Sequence, residues 1–226
     1  MKKLFLVANW KSNKTIAEAH SFMISFLGNE GVFRLKKDSA NQIILCPSST
    51  LLSEMSRTLS QVSHGLPIVL GAQDVSPFGK GPHTGEESAE QLSEFVQYVI
   101  IGHSERREDF RENDELLGLK VRAARSFGLE PIFCVQGKVT MVPEDVRIIA
   151  YEPIDAIGSG HPATVELAQD VASYFKREKG IHYVLYGGSI TEKNVHSYTS
   201  QPSIDGVLVG GASLDPVIFS QIIQQA

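Results

Sequence analysis

The amino-acid sequence predicts an α/β fold: a closed (β/α)8 barrel forming one domain over residues 1–226. Two observations support this prediction. Short apolar runs without polar alternation recur eight times, which is typical of strands covered on both faces in a parallel sheet. Helical stretches lie between most of these runs, so strand and helix alternate as in βαβ units. A doubly wound open sheet would show much the same alternation, so the pattern favours the barrel without excluding that fold.

The apolar run within Met1–Ala8 is only five residues long, which is too short for a secretory signal. We therefore interpret it as the first buried strand. The eight predicted strands are Leu4–Ala8, Gln42–Cys46, Ile68–Ala72, Tyr98–Ile101, Pro131–Val135, Arg147–Tyr151, Tyr183–Tyr186 and Gly206–Val209. The predicted helices include Thr15–Leu27, Ser49–Gln61, Glu87–Phe95, Asp114–Phe127 and Val165–Lys179. Gly28, Gly128 and Gly180 follow three of them, where glycine commonly ends a helix.

One βα unit departs from this pattern. Only eleven residues, Gln136–Val146, separate the fifth and sixth predicted strands, and they include Gly137 and Pro143. A parallel crossover needs about a dozen residues or more and usually contains a helix. We therefore expect a loop in place of the fifth helix, with that side of the barrel thinly covered or masked by another subunit.

Composition limits the classes of function. The chain is 42% hydrophobic and 21% charged with a net charge of -5, which is ordinary for a soluble enzyme and gives no reason to expect nucleic-acid or membrane binding. Cys46 and Cys134 lie in apolar runs, so we expect reduced, buried thiols and a cytoplasmic protein. The seven histidines are scattered, so no metal site is expected.

Polar residues and glycines follow five of the predicted strands. Because the active site of a barrel enzyme is built at the carboxyl ends of its strands, these residues are expected to share one mouth. They are Asn9 and Lys11 after the first strand, His103, Ser104 and Glu105 after the fourth, Glu152 after the sixth, Gly187, Gly188 and Ser189 after the seventh, and Gly210 and Gly211 after the eighth.

Each of these residues also has an ordinary structural interpretation. His103 alone could be a structural histidine, Lys11 a solvated lysine, and Arg106 and Arg107 a surface ion-pair cluster. Paired glycines usually mark tight turns, but two pairs at consecutive strand ends favour a phosphate site, because glycine lets the backbone approach an anion closely.

Six motifs are similar in order and approximate spacing to those of the triosephosphate isomerase family, and the chain resembles that family throughout its length. They are Ala8-Asn9-Trp10-Lys11, Gly102-His103-Ser104-Glu105-Arg106-Arg107, Ala150-Tyr151-Glu152-Pro153, Ala156-Ile157-Gly158-Ser159-Gly160, Tyr186-Gly187-Gly188-Ser189 and the run from Gly206 to Leu214.

The resemblance implies interconversion of dihydroxyacetone phosphate and glyceraldehyde 3-phosphate through an enediolate, without a cofactor, in glycolysis and gluconeogenesis. Glu152 would move the proton between two carbons, and neutral His103 would polarise the carbonyl. Lys11 and Asn9 would stabilise charge on the substrate oxygens, with Glu105 holding Lys11. The implied phosphate-binding residues are Gly158, Ser189, Gly210 and Gly211.

The resemblance further implies a lid and a homodimer. The lid would be Ile154–Ala163, comprising Ile154, Asp155, Ala156, Ile157, Gly158, Ser159, Gly160 and Ala163, with Tyr186 and Ser189 bonding its closed form. The loop Asp74–Glu86 resembles the family's protruding loop, so Thr84 would reach Asn9 and Lys11 of a partner. The alternative for this loop is a mobile surface segment.

This chain departs from the family at the lid. Asp155 replaces the usual tryptophan, Gln136-Gly137 stands where the family has a Gly-Glu pair, and Pro162 fixes φ at the second hinge. We therefore expect a lid that closes with altered rates. Two other functions stay open at this point: a different phosphate-binding barrel enzyme, and a non-catalytic relative.

Overall fold

The computed structural model describes residues 2–29, 32, 41–62, 65–153 and 162–226. Within these residues, the strands are β1 Phe5–Asn9, β2 Gln42–Cys46, β3 Ile68–Ala72, β4 Tyr98–Ile101, β5 Glu130–Val135, β6 Ile148–Tyr151, β7 Tyr183–Tyr186 and β8 Gly206–Val209. All are parallel, each pairs with the next, and β8 pairs with β1 to close the barrel. The predicted barrel is therefore confirmed and the open sheet is excluded.

Helices lie between most of the strands. In the described part of the chain they are α1 Ile16–Leu27, α2 Ser49–Val62, α3 Ala89–Leu92, α4 Ser104–Asp109, α5 Asp114–Ser126, α6 Val165–Lys179, α7 Val195–Thr199 and α8 Pro216–Gln225, with a 3₁₀ turn at Gly211–Leu214. Thr15 precedes α1 as its N-cap in a capping box with Glu18, so the predicted helix was one residue too long. The predicted helix Glu87–Phe95 shortens to α3, because the Phe95 N–H bonds the Leu92 carbonyl in a tighter i→i+3 turn.

Two layers of apolar side chains make up the core. Alternate strand residues point to opposite faces, so Phe5 and Val7 of β1 pack inside the barrel while Leu6 and Ala8 pack outward against the helices. The interior layer also contains Cys46 and Cys134. Both are free and buried, as the sequence predicted.

The connection between β5 and β6 contains no helix, which confirms that prediction. Residues 136–147 form turns, held in part by the Gln136 N–H bonding the Thr140 hydroxyl at 3.1 Å. Lys138 ties the segment to α6 through an ion pair with Asp170 at 2.6 Å. Val139 is 95% exposed, so the segment covers this side of the barrel only thinly. Cover by another subunit stays a prediction.

Candidate active site

The alternation along the strands places the first two site residues at the mouth of the barrel. Asn9 follows Phe5 and Val7 at the same period of two and is the last residue of β1. The predicted strand ended one residue earlier, at Ala8. Glu152 likewise continues the inward series of Ile148 and Ala150. Both side chains therefore lie at the carboxyl ends of the strands, above the apolar interior.

A cavity of about 240 Å³ opens at this mouth. It brings together most of the predicted site residues from five separate strand ends. The lining residues are Asn9, Lys11, His103, Glu152, Gly187, Gly188, Ser189, Ile190, Leu208, Gly210, Gly211 and Ala212. Glu105 does not line it but pairs with Lys11 at its edge.

One carboxylate oxygen of Glu152 accepts a hydrogen bond, and the other lies close to an imidazole nitrogen. Oε2 accepts from the backbone N–H of Ser104 at 3.0 Å, and Oε1 lies 3.0 Å from Nε2 of His103. The Glu152 side chain is only 2% exposed. The backbone is fixed as well, because the Glu152 N–H bonds the Val135 carbonyl at 2.8 Å. The carboxylate is therefore buried, oriented and in direct contact with the imidazole.

Hydrogen bonds define the tautomer of His103. This residue is the N-cap of α4, and its Nδ1 accepts the backbone N–H of Glu105 at 3.2 Å. A ring nitrogen that accepts a hydrogen bond carries no proton, so the proton of the neutral ring lies on Nε2, the nitrogen that is 3.0 Å from Glu152 Oε1. The imidazole thus presents an N–H donor to the cavity.

Lys11 is held in an unusual backbone conformation. Its φ of 53° lies in the left-handed region, which a non-glycine residue adopts only when its surroundings hold it there. The Asn9 side-chain oxygen accepts the Lys11 N–H at 3.1 Å, and Gln73 donates to the Lys11 carbonyl at 2.9 Å. At its far end, the ammonium pairs with the Glu105 carboxylate. Its charge is consequently fixed at the edge of the cavity.

Glycines form a wall of the cavity next to these charged groups. At Gly187 an added Cβ would lie 2.9 Å from Cγ of Glu152, so only glycine allows the carboxylate to pack here. At Gly211 a Cβ would meet nothing within 4 Å, so the backbone faces open space. Gly211 also begins the 3₁₀ turn, whose first N–H groups are suited to bind an anion. This wall is therefore compatible with a phosphate group.

The C-terminal end of the predicted lid is anchored by two tyrosines. The Ala163 N–H donates to the Tyr186 hydroxyl at 2.9 Å, and the Tyr198 hydroxyl donates to the Ala163 carbonyl at 2.5 Å. The two rings stack at 4.1 Å, and burial raises the pKa of both phenols. The other predicted lid residues lie outside the described residues: Ile154, Asp155, Ala156, Ile157, Gly158, Ser159 and Gly160.

The structure also shows residues whose roles the sequence did not reveal. Gln73, just after β3, bonds both the Lys11 carbonyl and the Cys46 carbonyl at 2.9 Å. Arg107 forms an ion pair with the exposed Asp114, as the alternative of a surface cluster anticipated, but it is only 15% exposed and also bonds two backbone carbonyls. Nothing in a single sequence marks a glutamine as a partner of a distant carbonyl. The pair of arginines, Arg106 and Arg107, close after His103 was the one sequence feature that singled out Arg107.

Thr84 lies on the exposed loop after β3 and is not among the residues lining the cavity of its own chain. In the described part of the chain, no group of His, Cys, Asp or Glu side chains is arranged to hold a metal ion. The described helices are all too short or too polar to cross a bilayer.

The fold and the site define a (β/α)8 barrel in which a carboxylate, an imidazole, an ammonium group and a glycine-rich wall share one cavity at the carboxyl ends of the strands. The family model described as "Triosephosphate isomerase" matches residues 4–144 and 139–226. Similar proteins named triosephosphate isomerase occur in Mesomycoplasma hyopneumoniae (39% identical, covering 99% of each chain) and in Synechocystis sp. (40% identical, covering 99% of this chain and 98% of the relative). The chain belongs to the triosephosphate isomerase family.

The comparisons also point to the shortened unit. The alignment with the Mesomycoplasma protein runs over 247 positions, whereas this chain has 226 residues, so at least 21 positions have no counterpart here. The two ranges matched by the family model overlap at residues 139–144, between β5 and β6. The overlap falls on the segment where the structure has no helix.

Proposed function

We propose that this protein interconverts dihydroxyacetone phosphate and glyceraldehyde 3-phosphate by moving a proton between two carbons through an enediolate. The observation that supports this most directly is the contact of a buried carboxylate with a neutral imidazole, 3.0 Å apart, in a cavity that also holds an ammonium group. Family membership supports the same activity.

Glu152 is the proposed base, and His103 the proposed electrophile. In the structure His103 Nε2 lies 3.0 Å from Glu152 Oε1. A single N–H cannot serve both the carboxylate and a substrate carbonyl at full strength. Substrate binding would therefore direct the Nε2–H to the carbonyl oxygen, leaving Oε1 free to take the carbon-bound proton. The same imidazole would then move the proton between the two substrate oxygens.

Lys11 and Asn9 are proposed to stabilise the enediolate charge. The Lys11 side chain is 31% exposed, and its ammonium pairs with Glu105, so the cation is already oriented before substrate binds. A preoriented cation needs little rearrangement as negative charge develops. Asn9 contributes a side-chain amide from the end of the same strand, β1.

Ser189, Gly210 and Gly211 are proposed to bind the phosphate, with Gly158 joining them from the lid by analogy with the family. The lid Ile154–Ala163 is proposed to close over the substrate and exclude water, which would protect the enediolate from losing its phosphate. The anchoring of Ala163 by two tyrosines supports a hinge at this end.

A coupled assay with glyceraldehyde 3-phosphate tests the function. Glu152→Gln keeps the size of the side chain but removes the basic carboxylate, so we expect kcat to fall by about 10²–10⁴. Glu144→Gln on the exposed β5–β6 segment is the matched control and should retain full activity. A wild-type protein without activity would exclude the proposal and leave a non-catalytic relative, and activity only on another phosphorylated substrate would favour a different barrel enzyme.

We further propose a homodimer in the cytoplasm. A second cavity of about 300 Å³ lies beside the Lys11 loop, and its lining includes Ser12, Gln73 and Ser76. The exposed loop carrying Thr84 would fill this cavity on a partner, which gives a two-fold interface in which each copy contributes the same residues. Sedimentation at decreasing concentration, combined with the coupled assay, tests this. A dilute monomer with full activity would contradict it.

A further inference from the structure

Arg107 connects three parts of the molecule through one guanidinium group. From α4, its Nε donates to the Gly102 carbonyl at 2.9 Å, and its Nη2 donates to the Cys134 carbonyl at 3.3 Å. Its Nη1 pairs with Asp114, the first residue of α5, at 3.1 Å. The guanidinium also lies over the Phe133 ring, 5.5 Å from its centroid. The planar fork of arginine can hold several acceptors at once, which a lysine cannot do.

The acceptors of Arg107 stand next to the acid–base pair. Gly102 immediately precedes His103, and its φ of 72° is a left-handed value suited to glycine. A Cβ on Gly102 would lie 3.1 Å from Nη2 of Arg107, so the backbone and the guanidinium are in close contact. The Gly102 carbonyl belongs to the peptide that leads into His103. Holding this carbonyl therefore fixes the start of the segment that carries the imidazole.

The second acceptor of Arg107, the Cys134 carbonyl, lies on the strand that supports Glu152. Cys134 belongs to β5 and pairs in register with Ala150 of β6, two residues before Glu152. The next residue of β5, Val135, accepts the backbone N–H of Glu152 at 2.8 Å. Arg107 therefore connects the backbone before His103 with the strand end that supports Glu152. Both connections are made away from the cavity, where substrate does not displace them.

We propose that Arg107 is a positioning residue that sets the separation of His103 and Glu152. It does not touch substrate in this role. The inference rests on the proposed isomerase function, because that reaction requires the imidazole and the carboxylate to act on neighbouring atoms of one substrate. A displacement of about 1 Å in such a pair can cost about 10² in rate.

Arg107→Lys tests the role, because it keeps the charge and removes the fork. We expect kcat to fall by about 10- to 100-fold with KM changed by less than about threefold, since the substrate-binding residues are untouched. Asp114→Asn removes only the exposed partner of the same guanidinium and should keep wild-type kcat. Arg107→Ala assayed with about 20 mM guanidinium chloride should regain at least about tenfold in kcat, whereas the wild type should not accelerate.

A second measurement separates positioning from folding and from the proposed function. The ¹⁵N resonances of His103 report which ring nitrogen carries the proton, whether or not the protein isomerises triose phosphates. We expect a protonated Nε2 in the wild type and exchange between tautomers in Arg107→Lys, once circular dichroism has shown the variant to be folded. An unchanged His103 spectrum, or a kcat within about twofold of wild type, would overturn the inference. An inactive wild type with the expected spectral change would refute the function alone.

Discussion

Lys120 of α5 forms the centre of a buried charge cluster, and replacing it should destabilise the fold strongly. Its ammonium lies 2.6 Å and 2.7 Å from the two oxygens of Asp74 and 2.5 Å from Glu112, and the side chain is 4% exposed. Arg106 completes the cluster, with contacts of 2.8 Å to Asp74 and 2.7 Å to Glu112. Two carboxylates and two cations therefore balance.

Lys120→Met leaves the buried Glu112 and the partly buried Asp74 with one cation between them. Removing one partner of a buried ion pair costs about 3–5 kcal/mol, because the remaining charge stays out of water. With about 2–4 °C per kcal/mol for a chain of this size, the melting temperature should fall by roughly 6–20 °C. The penalty should shrink in acid, because burial already raises the pKa of Asp74 and its protonation removes the excess charge.

Urea denaturation and thermal melts at fixed protein concentration measure this effect. The matched control is Lys138→Met, whose ion pair with Asp170 is exposed, at 39% and 60% of the two side chains. An exposed pair contributes at most about 1 kcal/mol, so this variant should melt close to the wild type. Equal losses for the two variants would refute the reasoning from burial.

Two further predictions concern thiols and glycines. Burial raises the pKa of Cys46 and Cys134, so the folded state keeps thiol protons that the unfolded chain releases near pH 9. The free energy of unfolding should therefore fall by about 1.4 kcal/mol per pH unit per thiol above that pH. Cys46→Ala should remove one such contribution in urea titrations from pH 8 to 10.5, and an unchanged slope of stability against pH would contradict this. Gly206 has a φ of 149°, and Gly206→Ala would place a Cβ 2.0 Å from the Phe5 carbonyl oxygen, so this variant should not fold stably. Gly118→Ala would meet only the Arg122 side chain within 4 Å and should stabilise α5 by about 0.5–1 kcal/mol. Equal expression and melting of the two alanine variants would exclude the steric argument.

The fold was predictable because strand and helix signals are local. All eight strands were found to within one residue at each end, since an apolar run bounded by polar residues marks a doubly covered strand. Helix lengths were less certain. The tight turn that ends α3 at Leu92 depends on how the chain enters β4, and this is a tertiary constraint.

The site was predictable as a set of residues but not as a geometry. Polar residues at strand ends predicted that Lys11, His103 and Glu152 would share one cavity. The bond from Gln73 to the Lys11 carbonyl could not be foreseen, because the two residues are 62 positions apart in the chain. The buried state of Arg107 depends on packing against β5, which residue type alone does not reveal.

The helix-free connection between β5 and β6 has a practical consequence for engineering. The ladder between these strands keeps all four of its residue pairs, so the barrel closes without a helix at this position. Val139 projects into solvent from a stretch that has no part in the proposed chemistry. A foreign peptide, a fluorophore or a second folded unit grafted at Val139 would thus occupy space that a helix would otherwise fill, and the proposed reaction centre would be left undisturbed.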